Sequence, residues 1–100
     1  MASTAPFRVI CPEAVRQDIL KLHKQAHISG IGRKFISAIE VIQQRLETSP
    51  QDFGEPVFSL KWPNAKLRKG AVAPLIVCFG VFHEEKLVVI FWFKLLSGGE

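Results

Sequence analysis

Residues 72–96 read VAPLIVCFGVFHEEKLVVIFWFKLL, in which two apolar runs flank the polar tetrapeptide 83–86. Two apolar runs joined by a short polar segment are typical of the strands of a β-hairpin. The second run is apolar at every position from 87 to 93, so both faces of that strand need cover. A strand of this kind is normally central in its sheet. This stretch therefore predicts a β-hairpin whose last strand, 87–96, has a neighbour on each side.

The first half of the chain has helical periodicity. Apolar side chains recur every three or four positions in residues 12–27, at Val15, Ile19, Leu22 and Ala26. Such a stripe predicts an amphipathic helix. A similar stripe predicts a second helix over 31–48, which ends before Pro50. Because glycines at positions 30 and 32 mark a short turn, the two helices are predicted to form an antiparallel hairpin.

Short segments on either side of the helices complete the predicted sheet. Residues 7–11 alternate as a first strand, residues 57–62 alternate weakly, and residues 65–69 continue or replace that second strand. Gly70 is predicted to form a turn. The order β-α-α-β-β-β predicts an α+β fold, with a two-helix hairpin on a curved, mostly antiparallel sheet of about four strands.

Length and composition limit the class of protein. One hundred residues, 48% of them hydrophobic, fit one globular domain. It is predicted to span 6–97, between a disordered tail at 1–5 and a frayed end at 98–100. No apolar run approaches the roughly 20 residues of a membrane-spanning helix, and no secretory signal is recognised. Two cysteines without a CxxC spacing predict reduced thiols in a cytoplasmic protein, and the net charge of +4 favours an acidic partner.

The basic segment 61–70 is the best candidate for a functional site. It holds four cations, one aromatic side chain and no acid: Lys61, Trp62, Lys66, Arg68 and Lys69. Clustered Lys and Arg bind the phosphates of RNA, and an aromatic ring can stack an unpaired base. If the segment cleaves RNA, Arg68 would stabilise the negative charge of the transition state and Lys66 would donate or abstract a proton. The alternative is a solvated basic edge that prevents sheet-to-sheet aggregation.

The cations of the predicted sheet divide between its faces. Strand alternation places Lys66 and Arg68 on one face and Lys69 on the other. Lys94 is the only charge in the last apolar strand. We expect Lys94 to reach the concave face that holds Lys66 and Arg68, so that these cations form a positively charged hollow. The alternative is that Lys94 marks the end of the buried strand, with its ammonium group in water.

No cofactor and no metal site are predicted. His23 and His27 are four residues apart on one helical face, the spacing of two metal ligands, but no third ligand lies near them in sequence. We expect both to be exposed helical histidines, and His83 to be an exposed hairpin residue without an acid–base partner. Cys11 and Cys78 lack a neighbouring activating group, so neither is expected to be a nucleophile.

A Pro50-x-x-Phe53-Gly54 loop follows the predicted helix pair, and the basic segment 66–70, Lys-Leu-Arg-Lys-Gly, leads into the predicted meander. Together with the short first strand, these features resemble the RelE/ParE superfamily of toxins from bacterial toxin–antitoxin modules, over residues 7–96. The resemblance implies a small basic toxin that is neutralised by a cognate antitoxin whose extended segment wraps around it. RelE-type members cut messenger RNA on the ribosome, whereas ParE-type members act on DNA gyrase.

Two regions depart from the RelE-type pattern. The central meander strand begins with Ala73-Pro74-Leu75, where RelE-type nucleases carry an arginine. Residues 93–99 lack the usual arginine with tyrosine or histidine, and the chain contains no tyrosine. The resemblance therefore implies a toxin with a degenerate ribonuclease site. The alternative is a catalytically inactive RelE-fold protein that binds a partner or forms a homo-oligomer.

The apolar side chains of the last strand exceed what one helix pair can cover. Strict alternation sends one set of residues to each face, Leu87, Val89, Phe91 and Phe93 against Val88, Ile90 and Trp92. One set would pack beneath the helices, and the other would stay on an open face. An antitoxin segment or a second copy in a homodimer would cover that face. The alternative is a strongly curved sheet that closes over its own concave side.

Overall fold

The computed structural model describes residues 6–57 and 65–96. Its elements in chain order are β1 (Arg8–Ile10), α1 (Glu13–Ile28), α2 (Gly32–Thr48), a 3-10 helix (Pro50–Asp52), β2 (Glu55–Pro56), β3 (Lys66–Val72), β4 (Leu75–Phe82) and β5 (Leu87–Leu95). The predicted α+β order of one strand, two helices and an antiparallel meander is confirmed. The predicted tails at 1–5 and 98–100 and the predicted strand positions 58–62 lie outside the described residues.

The two helices begin and end close to their predicted bounds. α1 starts directly after Pro12 and carries Glu13 in its first turn, where a carboxylate is favourable beside the helix amino end. In the turn between the helices, Gly30 has a φ of 81°, a left-handed conformation that glycine adopts without strain. α2 ends at Thr48, two residues before Pro50. In the described ranges, neither α1 nor any other helix has the length and apolar character needed to cross a membrane.

Five strands form one sheet in the order β1-β5-β4-β3-β2. β1 pairs in parallel with β5, and the other neighbours are antiparallel. β5 therefore lies between β1 and β4, the internal position predicted from its apolar sequence. The sheet has one strand more than expected because the two-residue β2 pairs Glu55 with Lys69 and Pro56 with Arg68.

Both helices pack on one surface of the sheet, which we call the helix face. Eight side chains of α2 and β4 at the centre of this layer are at most 1% exposed: Phe35, Ala38, Ile42, Leu46, Leu75, Val77, Phe79 and Val81. α1 adds Val15 and Ala26 to the same cluster. Removal of these apolar side chains from water is the main force that holds the helix hairpin on the sheet.

Gly70 lies inside β3 and does not form the predicted turn. It pairs with Val77 on the helix face, beneath the ring of Phe53. A Cβ atom at position 70 would lie 2.7 Å from Cζ of Phe53, which is closer than two carbon atoms approach. The Phe53 ring stacks in turn on Phe79, with 5.7 Å between the ring centroids. The prediction of a turn was wrong because this glycine makes room for an aromatic ring.

A β-bulge in β5 determines which of its side chains face the helices. Cys78 of β4 pairs with Trp92 and Phe79 pairs with Ile90, so Phe91 is the extra residue of the bulge. The strict alternation expected for 87–93 was therefore wrong. Val88, Ile90 and Phe93 are buried on the helix face, whereas Leu87, Val89, Phe91 and Trp92 face away from the helices.

Candidate functional site

The surface of the sheet away from the helices, which we call the open face, carries a second set of apolar side chains. Strand register gives its members: Ile10, Leu67, Ile76, Cys78, Phe82, Leu87, Val89, Phe91 and Trp92. None of them belongs to the described core beneath the helices or packs against it. These apolar side chains extend across four strands, but Leu67 and Cys78 are buried, and Ile10 is the only one of the nine that is exposed.

Three cations lie on the open face. Arg8 pairs with Leu87 at one end of β5, and Lys94 pairs with Ile76 near the other end. These two positions are separated by about 20 Å, at about 3.3 Å per strand residue. Lys69 lies between them on β3, where it pairs with Cys78. All three are exposed, and Glu55, the neighbour of Lys69, is the only acid in the described strands.

The bulge places two aromatic rings side by side on the open face. Phe91 packs over Gly80, where a Cβ atom would lie 3.0 Å from Cε2 of the phenylalanine. Trp92 is half-buried, and Nζ of Lys94 lies 4.8 Å from its ring centroid. This distance is within the range of a cation–π interaction. The open face thus presents an aromatic surface with a positive charge held beside it.

Arg68 lies on the helix face of β3 and holds the loop that follows α2. Its Nε donates a hydrogen bond to the carbonyl oxygen of Phe53 at 2.8 Å, and its Nη2 donates to that of Gly54 at 2.6 Å. The guanidinium group therefore fixes Phe53 over Gly70 and Phe79. This is a structural use of the side chain that the sequence did not predict, and the predicted catalytic role of Arg68 stays a prediction.

The positively charged hollow expected from Lys66, Arg68 and Lys94 does not form. Lys66 pairs with Val81 and Arg68 with Phe79, both on the helix face, as strand alternation predicted. Lys94 lies on the opposite side because the bulge shifts its register by one residue. The structure instead brings Lys69 and Lys94 to one face. The predicted site residues Lys61 and Trp62 lie outside the described residues.

Arg8 and Phe91 are two residues of the open face that the sequence did not single out as site residues. Arg8 lies in a three-residue strand whose parallel pairing with β5 joins distant parts of the chain. Its alternation with the apolar Phe7 and Val9 was the available signal. Phe91 carried no such signal, because every neighbouring position in the strand is also apolar.

The two cysteines are free thiols. Burial raises the pKa of Cys78, and the charge of the nearby Lys69 opposes that shift. Burial also raises the pKa of Cys11, which Arg16 lowers by a smaller amount. Both groups are therefore protonated at neutral pH, a state that is a poor nucleophile.

The histidines of the described residues do not form part of a metal site. His27 is exposed as expected, but the prediction that His23 is exposed was wrong, because it is half-buried and stacks on Phe35 with 5.2 Å between ring centroids. Residues 6–57 and 65–96 contain no group of three or more His, Cys, Asp or Glu placed to hold a metal ion. His83 shares a cavity of about 270 Å³ with Glu47 and Lys86. His83 and Lys86 both pack around the ring of Phe7, at 6.3 Å and 4.9 Å from its centroid.

The described arrangement has the chemistry of a binding surface. The open face combines apolar area, two adjacent aromatic rings and separated cations, which suits an amphipathic ligand of opposite charge. Glu55, the strand partner of Lys69, is the only carboxylate in the described strands, and those strands contain no imidazole. No protein-family model, no curated protein and no solved structure matches this chain.

Proposed function

We propose that this chain is the toxin component of a RelE/ParE-like toxin–antitoxin module, and that its open face binds an acidic, amphipathic segment of the cognate antitoxin. One observation carries the proposal. An apolar surface across four strands holds three cations, Arg8, Lys69 and Lys94, and Glu55 is the only acid in the described strands. Ile10 is exposed and six other apolar side chains of this face are half-buried, and a partly exposed apolar patch bordered by charges is typical of a protein-binding site.

The spacing of the cations supports an extended or helical segment as the ligand. Arg8 and Lys94 are separated by about 20 Å along β5, which six or seven residues of an extended chain would span. Apolar side chains of such a segment would contact Ile10 and Trp92, and its carboxylates would meet the cations at either end. Charge complementarity of this kind sets the orientation and the rate of association.

Self-association fits the open face less well. A second copy would bring Arg8, Lys69 and Lys94 against the same three cations, with only Glu55 to offset them. Like charges brought together at an interface cost several kcal/mol, on the order of 3. A catalytically inactive protein that binds a partner or forms a homodimer is therefore the second candidate function. The test below includes an outcome that would support it.

Cleavage of RNA by the predicted pair is weakly supported. Lys66 shares the helix face with Arg68, but the Arg68 side chain already donates to two backbone carbonyls, which hold the group that would stabilise the transition state. We therefore propose a toxin that acts mainly by binding. Its target, messenger RNA on the ribosome or DNA gyrase, follows from the resemblance alone.

Induction of the chain in a bacterial host tests the proposal. We expect growth arrest, and recovery when the protein encoded by the adjacent short reading frame is induced with it. Cut transcripts would identify mRNA as the target, and intact transcripts with loss of DNA supercoiling would identify gyrase. Normal growth of cells that contain the folded protein would overturn the toxin assignment. A stable dimer in sedimentation, dissociated by Trp92→Glu, would then support the homo-oligomer.

A further inference from the structure

The turn end of the helix hairpin is the most basic part of the described helices. Residues 19–39, which we call the hairpin tip, contain no Asp or Glu. They contain four cations and two histidines: Lys21, His23, Lys24, His27, Arg33 and Lys34. The acids of α1 and α2 lie in the other halves of the helices, at Glu13, Asp18, Glu40 and Glu47. The hairpin is therefore polarised, with its positive charge at the tip.

A groove of about 690 Å³ opens between the helices at the hairpin tip. Its walls include His23, His27, Gly32, Arg33, Ile36 and Ser37. Two imidazoles, a guanidinium group and a hydroxyl group thus border one space. All of them can donate hydrogen bonds to an anion.

Packing fixes the direction of the groove's donors. The His23 ring is stacked on Phe35 at an interplanar angle of 21°, which holds one edge of the imidazole toward the groove. A Cβ atom at Gly32 would lie 3.6 Å from Nδ1 of His27, so the first residue of α2 is close to this second imidazole. The amino end of α2, with its unpaired N–H groups, therefore meets the two histidines at the groove.

Exposed apolar side chains accompany the cations. Ile28 is 84% exposed and Leu20 is 60% exposed on α1, and Ile36 is 44% exposed in the groove wall. They do not form a continuous stripe, since Lys24 lies between Leu20 and Ile28 on the same helical face. A helix that lies on a membrane needs an unbroken apolar face. Single apolar side chains that stand between cations suit a ligand whose phosphates alternate with flat apolar groups, because each kind of side chain then has its own kind of contact.

We propose that the hairpin tip is a second binding site, which holds the phosphodiester backbone of a single-stranded nucleic acid. Arg33, Lys24 and the histidines bind phosphates, and Ile36 and Ile28 contact unstacked bases. A duplex offers the tip the same phosphates but no exposed base faces. The site lies on the helices and does not involve the open face, so it does not depend on the proposed antitoxin.

Fluorescence anisotropy with a labelled single-stranded RNA of about 20 nucleotides tests the site over about 50 to 300 mM NaCl. The double variant Lys24→Gln with Arg33→Gln removes two cations of the tip. We expect it to weaken binding at least about tenfold at the lowest salt concentration. We also expect the negative slope of log K for association against log salt to become less steep by about 1.4, since each neutralised phosphate of a single strand contributes about −0.7.

Arg16→Gln with Arg45→Gln is the matched control, because it removes the same charge from exposed positions of the same two helices outside the tip. We expect it to change the affinity for RNA less than about twofold. Circular dichroism melting verifies that both double variants are folded. Equal losses in the two variants, no loss in the tip variant, or tighter binding of a duplex of equal length would overturn the proposal. The same would follow if the tip variant lost binding to vesicles of anionic lipid or to poly-glutamate but not to RNA.

Discussion

The guanidinium group of Arg68 and the ammonium group of Lys94 lie on opposite faces of one sheet. Arg68 shares the helix face with its strand partner Phe79, and Lys94 shares the open face with Ile76. The bulge at Phe91 causes this separation, because without the extra residue Lys94 would fall on the face of Ile90. One cation therefore stabilises the fold, while the other is available to a partner.

Replacement of Arg68 by Lys is expected to destabilise the protein. A lysine has no planar fork with which to reach the carbonyl oxygens of Phe53 and Gly54 together. Hydrogen bonds from a charged donor contribute about 1.5–3 kcal/mol, so we expect a loss of this size in the free energy of unfolding. Urea denaturation measures it.

Lys66→Gln is the control for Arg68→Lys. Lys66 belongs to the same strand and the same face but is exposed, and its side chain has no hydrogen bond to the described residues. We expect it to change the free energy of unfolding by less than about 0.5 kcal/mol. An Arg68→Lys protein as stable as the wild type would show that the two carbonyl contacts contribute nothing. Loss of toxicity in an Arg68 variant then has to be compared with its stability before any catalytic role is assigned.

Gly70→Ala is expected to cost about 1–3 kcal/mol of stability, because the added methyl group would overlap the Phe53 ring. A smaller side chain at position 53 should relieve this overlap. We therefore expect the loss caused by Gly70→Ala to be smaller in a Phe53→Leu background, as a double-mutant cycle of urea unfolding would measure. Additive losses would contradict the packing of this ring over the glycine.

The Cys78 thiol makes the free energy of unfolding of the protein depend on pH in the alkaline range. Burial raises its pKa above the ordinary thiol value of 9.0, so the unfolded chain releases this proton first. The stabilisation is complete below pH 9.0 and is lost as the pH rises through the higher value of the folded protein. We expect the free energy of unfolding to fall less steeply in Cys78→Ala than in the wild type above that pH. Parallel curves would contradict the raised pKa.

The fold class was predictable from the sequence because its periodicities are local. The helical stripe that includes Val15 and Ala26, and the apolar run 87–93, each identify an element and its buried side. The small strand β2 was not predictable in this way. Its two residues have no periodicity and become a strand only by pairing with Lys69 and Arg68.

The composition of the candidate site was predicted only in part. Alternation separated Lys69 from Lys66 and Arg68 correctly, because β3 pairs with β4 without interruption. The face of Lys94 was not predictable, since a bulge inside a run of consecutive apolar residues leaves no mark in the hydrophobic pattern. The hydrogen-bond partners of Arg68 were not predictable either, because they are main-chain carbonyl oxygens, which every residue carries whatever its side chain.

The dissociation constant of the acidic segment of the proposed antitoxin, measured by isothermal titration calorimetry, tests the role of the open face most directly. Lys69→Glu and Lys66→Glu make the same charge change on the same strand, on opposite faces. We expect Lys69→Glu to weaken binding by about tenfold or more, and Lys66→Glu by less than about twofold. Equal losses in the two variants, or unchanged affinity in Lys69→Glu, would contradict binding at the open face.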